Sequence, residues 1–273
     1  MKKIMLSLQE ISLKDVSTCG GKAANLGELM KVGLNVPKGF VITTEAYEYK
    51  NSKELNEAIL QEFDKLNSKY VAVRSSAISE DSSNFSWAGQ LATYLFTDRE
   101  SLLENIQSCW ESVNSSRAKA YQQDNKLEVE EGGVAVIVQE MIDADTSGVT
   151  FTVHPVTKDA NTVVIEAIYG LGEAIVSGIV TPDSYEIDKR NNKIINADIS
   201  NQRIKIVQAS KGTKSVEIPL EHQEEQKLSF KEIEETAKIS KIIESHYNSP
   251  QDIEWCWKDG KLFILQARPI TTL

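Results

Sequence analysis

Apolar positions follow two different periods along the chain, and each period predicts its own kind of element. Spacings of three and four residues, typical of helices, occur at 22–30, 98–124 and 229–247. Continuous apolar runs or alternation, typical of strands, mark a larger set of segments: 36–44, 71–74, 91–96, 134–141, 148–153, 162–167, 184–187, 193–199, 203–207, 215–218, 252–257 and 262–269. Turns containing Asn, Asp and Gly separate the later strands, so we expect those strands to pair in antiparallel sheets.

A serine-rich loop joins two of these strands. The first strand ends at Arg74, and the loop reaches Gly89 before the second strand runs on through Thr93. An arginine supplies a planar, permanent charge that suits phosphate or carboxylate oxygens, and hydroxyls and free N–H groups in the loop add neutral donors. The stretch predicts a cover over an anionic ligand, with a solvated serine-rich hairpin as the alternative.

A second anion signal lies at Gly20-Gly21-Lys22, where two glycines precede a helical pattern. Lys22 then falls in the first turn of that helix, where unpaired N–H groups and the helix dipole favour an anion. The segment is not a Walker A loop, because the first glycine of that motif is missing and no Ser or Thr follows the lysine. A plain helix start explains the same residues, and this alternative stays open.

The last two strands carry three polar residues on an otherwise apolar hairpin. A turn at 258–261 closes it, so Glu254 and Gln266 fall near each other on one face, and Arg268 points the same way two residues later. Carboxylate and amide oxygens are hard ligands that Mg²⁺ takes, few at a time, alongside nucleotide phosphates. Such side chains are costly on an apolar face without a ligand, so we predict a Mg²⁺ and phosphate site here.

The run at 134–141 predicts a buried strand that ends in Gln139, a residue suited to facing an adenine base, although a plain core strand fits as well. An acidic segment ending in two glycines precedes this strand and is typical of a link between lobes. We therefore predict a phosphate-binding lobe at 1–130 and a second lobe, with the adenine and metal site, at 131–273.

Composition narrows the classes of partner and compartment. The formal net charge of −10, from 40 acidic and 30 basic residues, argues against nucleic acid as the main partner. No apolar run approaches the roughly 20 residues that a membrane-spanning helix needs, so we expect no membrane partner. Three cysteines without disulfide or metal spacing fit a reducing compartment, and we expect a cytoplasmic protein.

Taken together, these motifs resemble the N-terminal ATP-binding domain of the phosphoenolpyruvate synthase, pyruvate phosphate dikinase and rifampin phosphotransferase family. The matching segments occur in the family's order and span nearly the whole chain: 20–27, 36–40, 74–77 with 80–81, 88–90, 170–173, 252–255 and 266–270. Each motif is weak by itself, and the set is strong.

The resemblance implies a two-lobed α+β ATP-grasp fold with antiparallel sheets and flanking helices, and it implies ATP and Mg²⁺ as ligands. It also implies a role for each matched residue. Lys22, Arg74 and Arg268 hold the phosphates as the catalytic charges, Gly89 and Thr93 line the phosphate loop, Gln139 lies at the adenine, and Glu254 and Gln266 bind metal and nucleotide.

Family members cleave ATP to AMP and move the β-phosphate to a histidine on a swivelling domain, which then phosphorylates a substrate on a third domain. The resemblance thus predicts the ATP-binding module of a dikinase-type phosphotransferase, with the phosphohistidine and acceptor domains as its partners. His154, His222 and His246 lack the phosphoacceptor context, and only His154 warrants a test for phosphate.

Two other functions stay open. A non-catalytic nucleotide-binding or regulatory module would keep the fold without turnover. The segment 45–69, which is shorter than in full-length relatives, suggests this alternative. A carboxylate–amine ligase of the wider ATP-grasp group would form an acyl phosphate and ADP, but the motif set fits it less well.

Overall fold

The computed structural model describes residues 4–78, 92–113, 115 and 134–271. The chain divides into two compact units, Met1–Met141 and Ile142–Leu273. Each unit contains an antiparallel sheet with helices packed against it.

The first unit is built on a five-stranded sheet. Its elements are β1 (Met5–Ser7), α1 (Val16–Lys31), β2 (Gly39–Ile42), α2 (Lys53–Leu66), β3 (Val71–Ala77), β4 (Thr93–Thr97), α3 (Leu102–Ser112) and β5 (Val134–Glu140), with 3₁₀ turns at Leu8–Glu10, Leu13–Asp15 and Thr44–Tyr49. The strand order is β1-β2-β5-β3-β4, and all neighbouring strands are antiparallel.

The two faces of this sheet pack against different helices. Val71 and Val73 of β3 alternate onto the face that carries the main apolar core, against α2 and α3. The same core contains Phe40, Ile42, Ala46, Leu55, Ile59, Phe63, Leu102, Ile106, Cys109, Trp110, Val136 and Val138. Ser76 alternates to the opposite face, where it contacts α1.

Strand β5 lies in the middle of the first sheet, hydrogen-bonded to β2 on one side and β3 on the other. The observed division between units therefore follows Met141. The boundary predicted at 130/131 differs from it by this one strand, because composition locates a link but does not show which sheet the next strand joins.

The second unit contains more strands and one long helix. Its elements are β6 (Thr146–Phe151), β7 (Thr162–Tyr169), α4 (Glu173–Val176), β8 (Asp183–Asp188), β9 (Lys193–Asp198), β10 (Ile204–Gln208), β11 (Thr213–Glu217), α5 (Phe230–Tyr247), β12 (Gln251–Lys258) and β13 (Lys261–Pro269), with a 3₁₀ turn at Leu220–His222. Six strands form one sheet in the order β13-β12-β6-β7-β8-β9, and β10 pairs with β11 separately.

Helix α5 begins and ends where its sequence dictates. Ser229 accepts from the Glu232 N–H while the Glu232 carboxylate accepts from the Ser229 N–H, and Asn248 ends the helix in the left-handed region at a φ of 51°. The helix packs on β7 and β12, where Trp257 Nε1 donates to Thr236 Oγ1 over 3.2 Å.

The predicted α+β class with antiparallel sheets is confirmed. Of the helix predicted at 98–124, the structure describes α3, and residues 116–133 lie outside the described part. Within the residues described, no helix combines the length and apolarity needed to cross a membrane. Cys19, Cys109 and Cys256 are buried free thiols.

Candidate functional site

The register of the first sheet brings three predicted site residues onto one face. Arg74 in β3 pairs with Thr93 of β4 and with Ile137 of β5, and two residues earlier Ala72 pairs with Gln139. Directly paired residues, and positions two apart, share a face of a sheet. The side chains of Arg74, Thr93 and Gln139 therefore project from the same side, with Thr93 exposed, Arg74 half-buried and Gln139 buried.

Helix α1 reaches this face and is interrupted there at Gly20, whose φ of 75° and ψ of 165° are not helical. A Cβ at this position would lie 2.2 Å from the Ser76 carbonyl oxygen and 2.3 Å from Ser76 Oγ, so only glycine fits. The helix then restarts, and the buried Ala23 N–H donates to Ser76 Oγ over 3.2 Å. The interruption therefore seats α1 against the end of β3.

Lys22 lies just after this interruption and directs its ammonium at β3. Its Nζ donates to the carbonyl oxygen of Ser75 at 3.4 Å, one residue from Arg74. The predicted phosphate residues Lys22, Arg74 and Thr93 thus gather around a single short stretch of strand. Two positive charges gathered in this way favour an anionic ligand.

Ser75 ties β3 to α3 on the core side. Its Oγ donates to the Cys109 carbonyl oxygen and lies the same 3.3 Å from Ser112 Oγ. Burial raises the pKa of the Cys109 thiol to about 11, although the Ser75 hydrogen bond and Lys22 act in the opposite direction. The thiol is protonated at neutral pH, so we assign it no nucleophilic role.

The side chain of Gln139 already has a structural bond. It is 2% exposed, and its Nε2 donates to the Pro37 carbonyl oxygen at 3.0 Å, which joins β5 to the turn before β2. The adenine role of Gln139 therefore stays a prediction. Gly89, the other phosphate-loop residue, lies outside the described residues.

In the second unit, the predicted metal residues face each other across the hairpin of β12 and β13. Glu254 pairs with Gln266, and Asp252 pairs with Arg268. Positions two apart share a face, so all four side chains project from one side of the sheet. The predicted juxtaposition of Glu254, Gln266 and Arg268 is confirmed in this unit.

A β-bulge sets that register. Trp255 pairs with Ile264, whereas Glu254 pairs with Gln266, so Leu265 is one residue more than β12 requires. The polar residues after the bulge therefore lie on the opposite face from Ile264, which is buried with Trp255.

Asp252 holds Arg268 through one of its two carboxylate oxygens. Its Oδ2 accepts from Nε (2.9 Å) and Nη2 (2.8 Å) of Arg268. Its Oδ1 is buried and has no hydrogen-bond partner among the residues that the structure describes. Burial raises the pKa of Asp252 in spite of Arg268, and Glu254 adds to the rise. A bound cation would satisfy such an oxygen.

Glu166 adds a third carboxylate to the same face. Glu254 pairs with Val149 in β6, and Val149 pairs with Glu166 in β7, which places the two glutamates in one row across three strands. Burial raises the pKa of Glu166, and Asp252 contributes to the rise. Sequence reasoning missed both Asp252 and Glu166. Each is a charged residue inside an apolar strand, which is the sequence feature that could have identified it. Asp252 also lies two residues before Glu254.

These groups fit Mg²⁺ as proteins bind it beside a nucleotide. Across the described ranges, no three or more His, Cys, Asp or Glu side chains are placed to hold a metal ion by themselves. Mg²⁺ commonly takes one or two carboxylates and completes its shell with water and phosphate oxygens. Glu254 and Gln266, with the orphaned Asp252 oxygen on the same face, supply such a partial shell.

His154 closes its own loop. Its Nδ1 accepts from the N–H groups of Val156 and Thr157 at 3.1 and 3.2 Å, and its Nε2 lies 3.9 Å from a Glu186 oxygen. A nitrogen that accepts two backbone N–H groups is committed to the turn, so the structure gives His154 a local structural role.

The chain matches the family model described as pyruvate phosphate dikinase, AMP/ATP-binding domain, over residues 16–69 and 48–273. A probable phosphoenolpyruvate synthase of Methanocaldococcus jannaschii is 37% identical over 99% of this chain and 27% of its own length. A probable phosphoenolpyruvate synthase of Archaeoglobus fulgidus is 35% identical over 98% of this chain and 42% of its own length. Rifampicin phosphotransferase of Bacillus subtilis is 34% identical over 100% of this chain and 36% of its own length.

The chain therefore belongs to the pyruvate phosphate dikinase AMP/ATP-binding domain family. The ATP-grasp class expected from the resemblance follows from this membership. The chain spans between 27% and 47% of the length of the curated relatives named probable phosphoenolpyruvate synthase or rifampicin phosphotransferase. The two parts of the family match overlap at 48–69, within the segment expected to be shortened.

Proposed function

We propose that this chain binds Mg-ATP and passes its β-phosphate to a histidine on a separate swivelling domain, giving AMP and phosphate, as the ATP-binding module of a dikinase-type phosphotransferase. The observation that carries this proposal is the gathering of the Lys22 ammonium, Arg74 and Thr93 around residues 74–76 of β3. Membership of an AMP/ATP-binding domain family supports the choice of nucleotide.

Lys22 and Arg74 would bind phosphate oxygens directly. Phosphoryl transfer needs positioning and charge neutralisation more than covalent help from the protein, and two fixed positive groups supply both. Thr93, paired with Arg74, would add a neutral donor, and Gly89 would let the loop backbone approach the phosphates.

Mg²⁺, when bound, neutralises phosphate charge and orients the phosphate chain. Glu254 and Gln266 would hold it, and the orphaned oxygen of Asp252 extends this set beyond the residues that the sequence predicted. Arg268 would reach the terminal phosphates from the same face, with Asp252 fixing the plane of its guanidinium.

Gln139 would contact the adenine from the first unit. Its amide already donates to Pro37, so a base would either meet the strand end beside Gln139 or replace that bond. A base that replaces the bond leaves the Pro37 carbonyl to find another donor.

The curated relatives are longer than this chain, which supports further domains as the partners of this module. We place the phosphoaccepting histidine on such a domain, because His154 is held within its own turn. Three buried free thiols support a reducing, cytoplasmic location.

The proposal is tested by titrating ATP into the chain by calorimetry, with and without Mg²⁺. Arg74→Ala and Glu254→Ala should each weaken Mg-ATP binding by about tenfold or more, because each removes a charge that contacts phosphate or metal. Without Mg²⁺, Glu254→Ala and wild type should bind alike. Arg99→Ala and Glu244→Ala are matched controls, since both residues form ion pairs outside the predicted set.

Absence of ATP binding, or binding that neither site variant changes, would overturn the proposal. The products separate it from the other functions. AMP formed with a phosphohistidine domain supports the dikinase, whereas ADP formed with a carboxylic acid supports a ligase. Binding without either product supports the non-catalytic module.

A further inference from the structure

We propose that Ser76 is a positioning residue whose hydroxyl, by capping the restart of α1, holds the Lys22 ammonium at residues 74–76 of β3. This inference rests on the proposed function, because it takes Lys22 as a phosphate-binding group. Ser76 itself has no role in the chemistry and acts through Lys22.

Ser76 contacts α1 on both sides of Lys22. Before Lys22, the Gly20 backbone lies so close to the Ser76 carbonyl and hydroxyl that no Cβ fits between them. After Lys22, the buried Ala23 N–H donates to Ser76 Oγ at 3.2 Å. One fully buried serine therefore fixes the backbone of the two residues that lie between these contacts.

The capped N–H belongs to the peptide unit that joins Lys22 to Ala23. Its orientation sets the direction in which the Lys22 side chain leaves the helix. Lys22 Nζ donates to the Ser75 carbonyl oxygen over 3.4 Å, near the outer limit of a hydrogen bond. The shorter, buried Ala23–Ser76 hydrogen bond holds the backbone from which that side chain leaves.

Ser52 provides a matched comparison in the same unit. It caps α2 by accepting from the Leu55 N–H at 3.1 Å, and α2 carries none of the predicted site residues. Ser52→Ala and Ser76→Ala both remove a helix cap, but only Ser76→Ala removes one beside Lys22. A purely structural role would give the two variants the same phenotype.

The experiment is a double-mutant cycle read by calorimetric titration of Mg-ATP into the full chain. Ser76→Ala should weaken ATP binding by roughly threefold to tenfold, and it should have no further effect when Lys22→Ala is already present. Ser52→Ala should lower the unfolding temperature and leave ATP affinity unchanged.

Two outcomes of the cycle overturn the inference. One is an unchanged affinity in Ser76→Ala; the other is the same fold-loss for Ser76→Ala with and without Lys22. If Lys22→Ala does not weaken ATP binding, the proposed phosphate role of Lys22 fails instead, and the inference loses its premise.

A measurement on the unaltered chain covers the case in which Ser76→Ala does not fold. The Ala23 amide should exchange its hydrogen at least about 100-fold more slowly than solvent-exposed amides, with or without ATP, because its acceptor is a buried hydroxyl. Exchange at Ala23 as fast as at exposed amides would overturn the inference directly.

Discussion

Asp183 and Asp252 each pair with a cation in the second unit, and the Asp183 side chain is fully buried whereas that of Asp252 is 12% exposed. Their oxygens are satisfied to different degrees. Asp183 Oδ1 lies 2.9 Å from Lys227 Nζ and accepts from the Ser200 N–H at 2.9 Å. Its Oδ2 accepts from the Tyr185 hydroxyl at 2.7 Å and from the Lys227 N–H at 2.9 Å. Four donors surround this carboxylate, and both charged side chains are fully buried.

Asp252 receives two donors, both from Arg268 and both on one oxygen, while Oδ1 has no partner within the described residues. A buried polar network that is complete specifies a fold, whereas an incomplete one is a cost that a ligand can remove. The difference teaches that burial alone does not identify a functional carboxylate. The count of donors around it does.

The largest effect is expected from Lys227→Met. Removal of the cation leaves Asp183 buried and without its ion pair, so the free energy of unfolding should fall by about 3–5 kcal/mol. Urea titration measures it. Lys189→Met is the control, because its pair with Glu244 is partly exposed, at 15% and 22%, and should cost less. Equal losses of unfolding free energy in the two variants would show that the fully buried pair of Asp183 and Lys227 contributes no more than the partly exposed pair.

Asp252→Asn should act on ligand binding and leave the fold intact. Without the carboxylate charge, Mg²⁺ should enhance ATP affinity about tenfold less than in wild type, while the free energy of unfolding should not fall. Calorimetric titration with and without Mg²⁺ reads the first effect. Asp188→Asn, which alters an aspartate paired with a largely exposed arginine, is the matched control. A full Mg²⁺ effect in Asp252→Asn would show that the orphaned oxygen has no metal role.

The pH dependence of stability should separate wild type from Asp252→Asn by a smaller amount. Burial raises the pKa of Asp252 in the folded state, so as pH rises the unfolded chain releases its proton first. The stability that the folded chain gains by keeping Asp252 protonated is fully present below the unfolded pKa of about 4. It is lost as pH rises through the higher folded pKa.

The stability of Asp252→Asn relative to wild type should therefore rise as pH increases from about 4 through the higher folded pKa, and it should be level below about pH 3. Urea midpoints across that range measure it. Glu166→Gln should show the same trend, because burial raises the pKa of that carboxyl as well. If the stability difference from wild type does not change with pH in either variant, burial does not raise the pKa of these two carboxyls.

The smallest effect is expected at Cys256, two residues from Glu254 in β12. Burial raises the pKa of this thiol to about 12, so it should resist an aromatic disulfide reagent at pH 8 in wild type and in Asp252→Asn alike. Lys227→Met should speed the reaction by increasing the open population. Rapid labelling of Asp252→Asn would show that the aspartate supports β12 after all.

The sequence predicted those parts of the site that depend on period and turn position. The pairing of Glu254 with Gln266 follows from one hairpin turn and two-residue alternation, and the helical position of Lys22 follows from glycines before an apolar stripe. Asp252 and Glu166 could not be found that way, since alternation gives a face but not the depth of burial or the number of donors.

The rest depends on long-range pairing. Nothing local marks β5 as the centre of the first sheet, or Ser76 as the partner of a helix more than 50 positions earlier in the chain. The apolar stripe of α5 shows the same limit. Thr236 and Ser240 are buried in it although neither is apolar, because their hydroxyls bond to Trp257 and to the Thr236 carbonyl.

Leu265 works as a spacer that changes the phase of its strand. Ile264, Gln266 and Arg268 are two residues apart and would share one face of a regular strand. Ile264 nevertheless lies on the same face as Trp255, whereas Gln266 and Arg268 lie on the same face as Glu254 and Asp252. Loss of Leu265 itself would leave every pair in place, whereas loss of Ala267 would turn Arg268 toward the apolar side. Strand β13 can thus lose one residue at the bulge and keep its polar face. Between the bulge and Arg268, the number of residues matters as much as their identity.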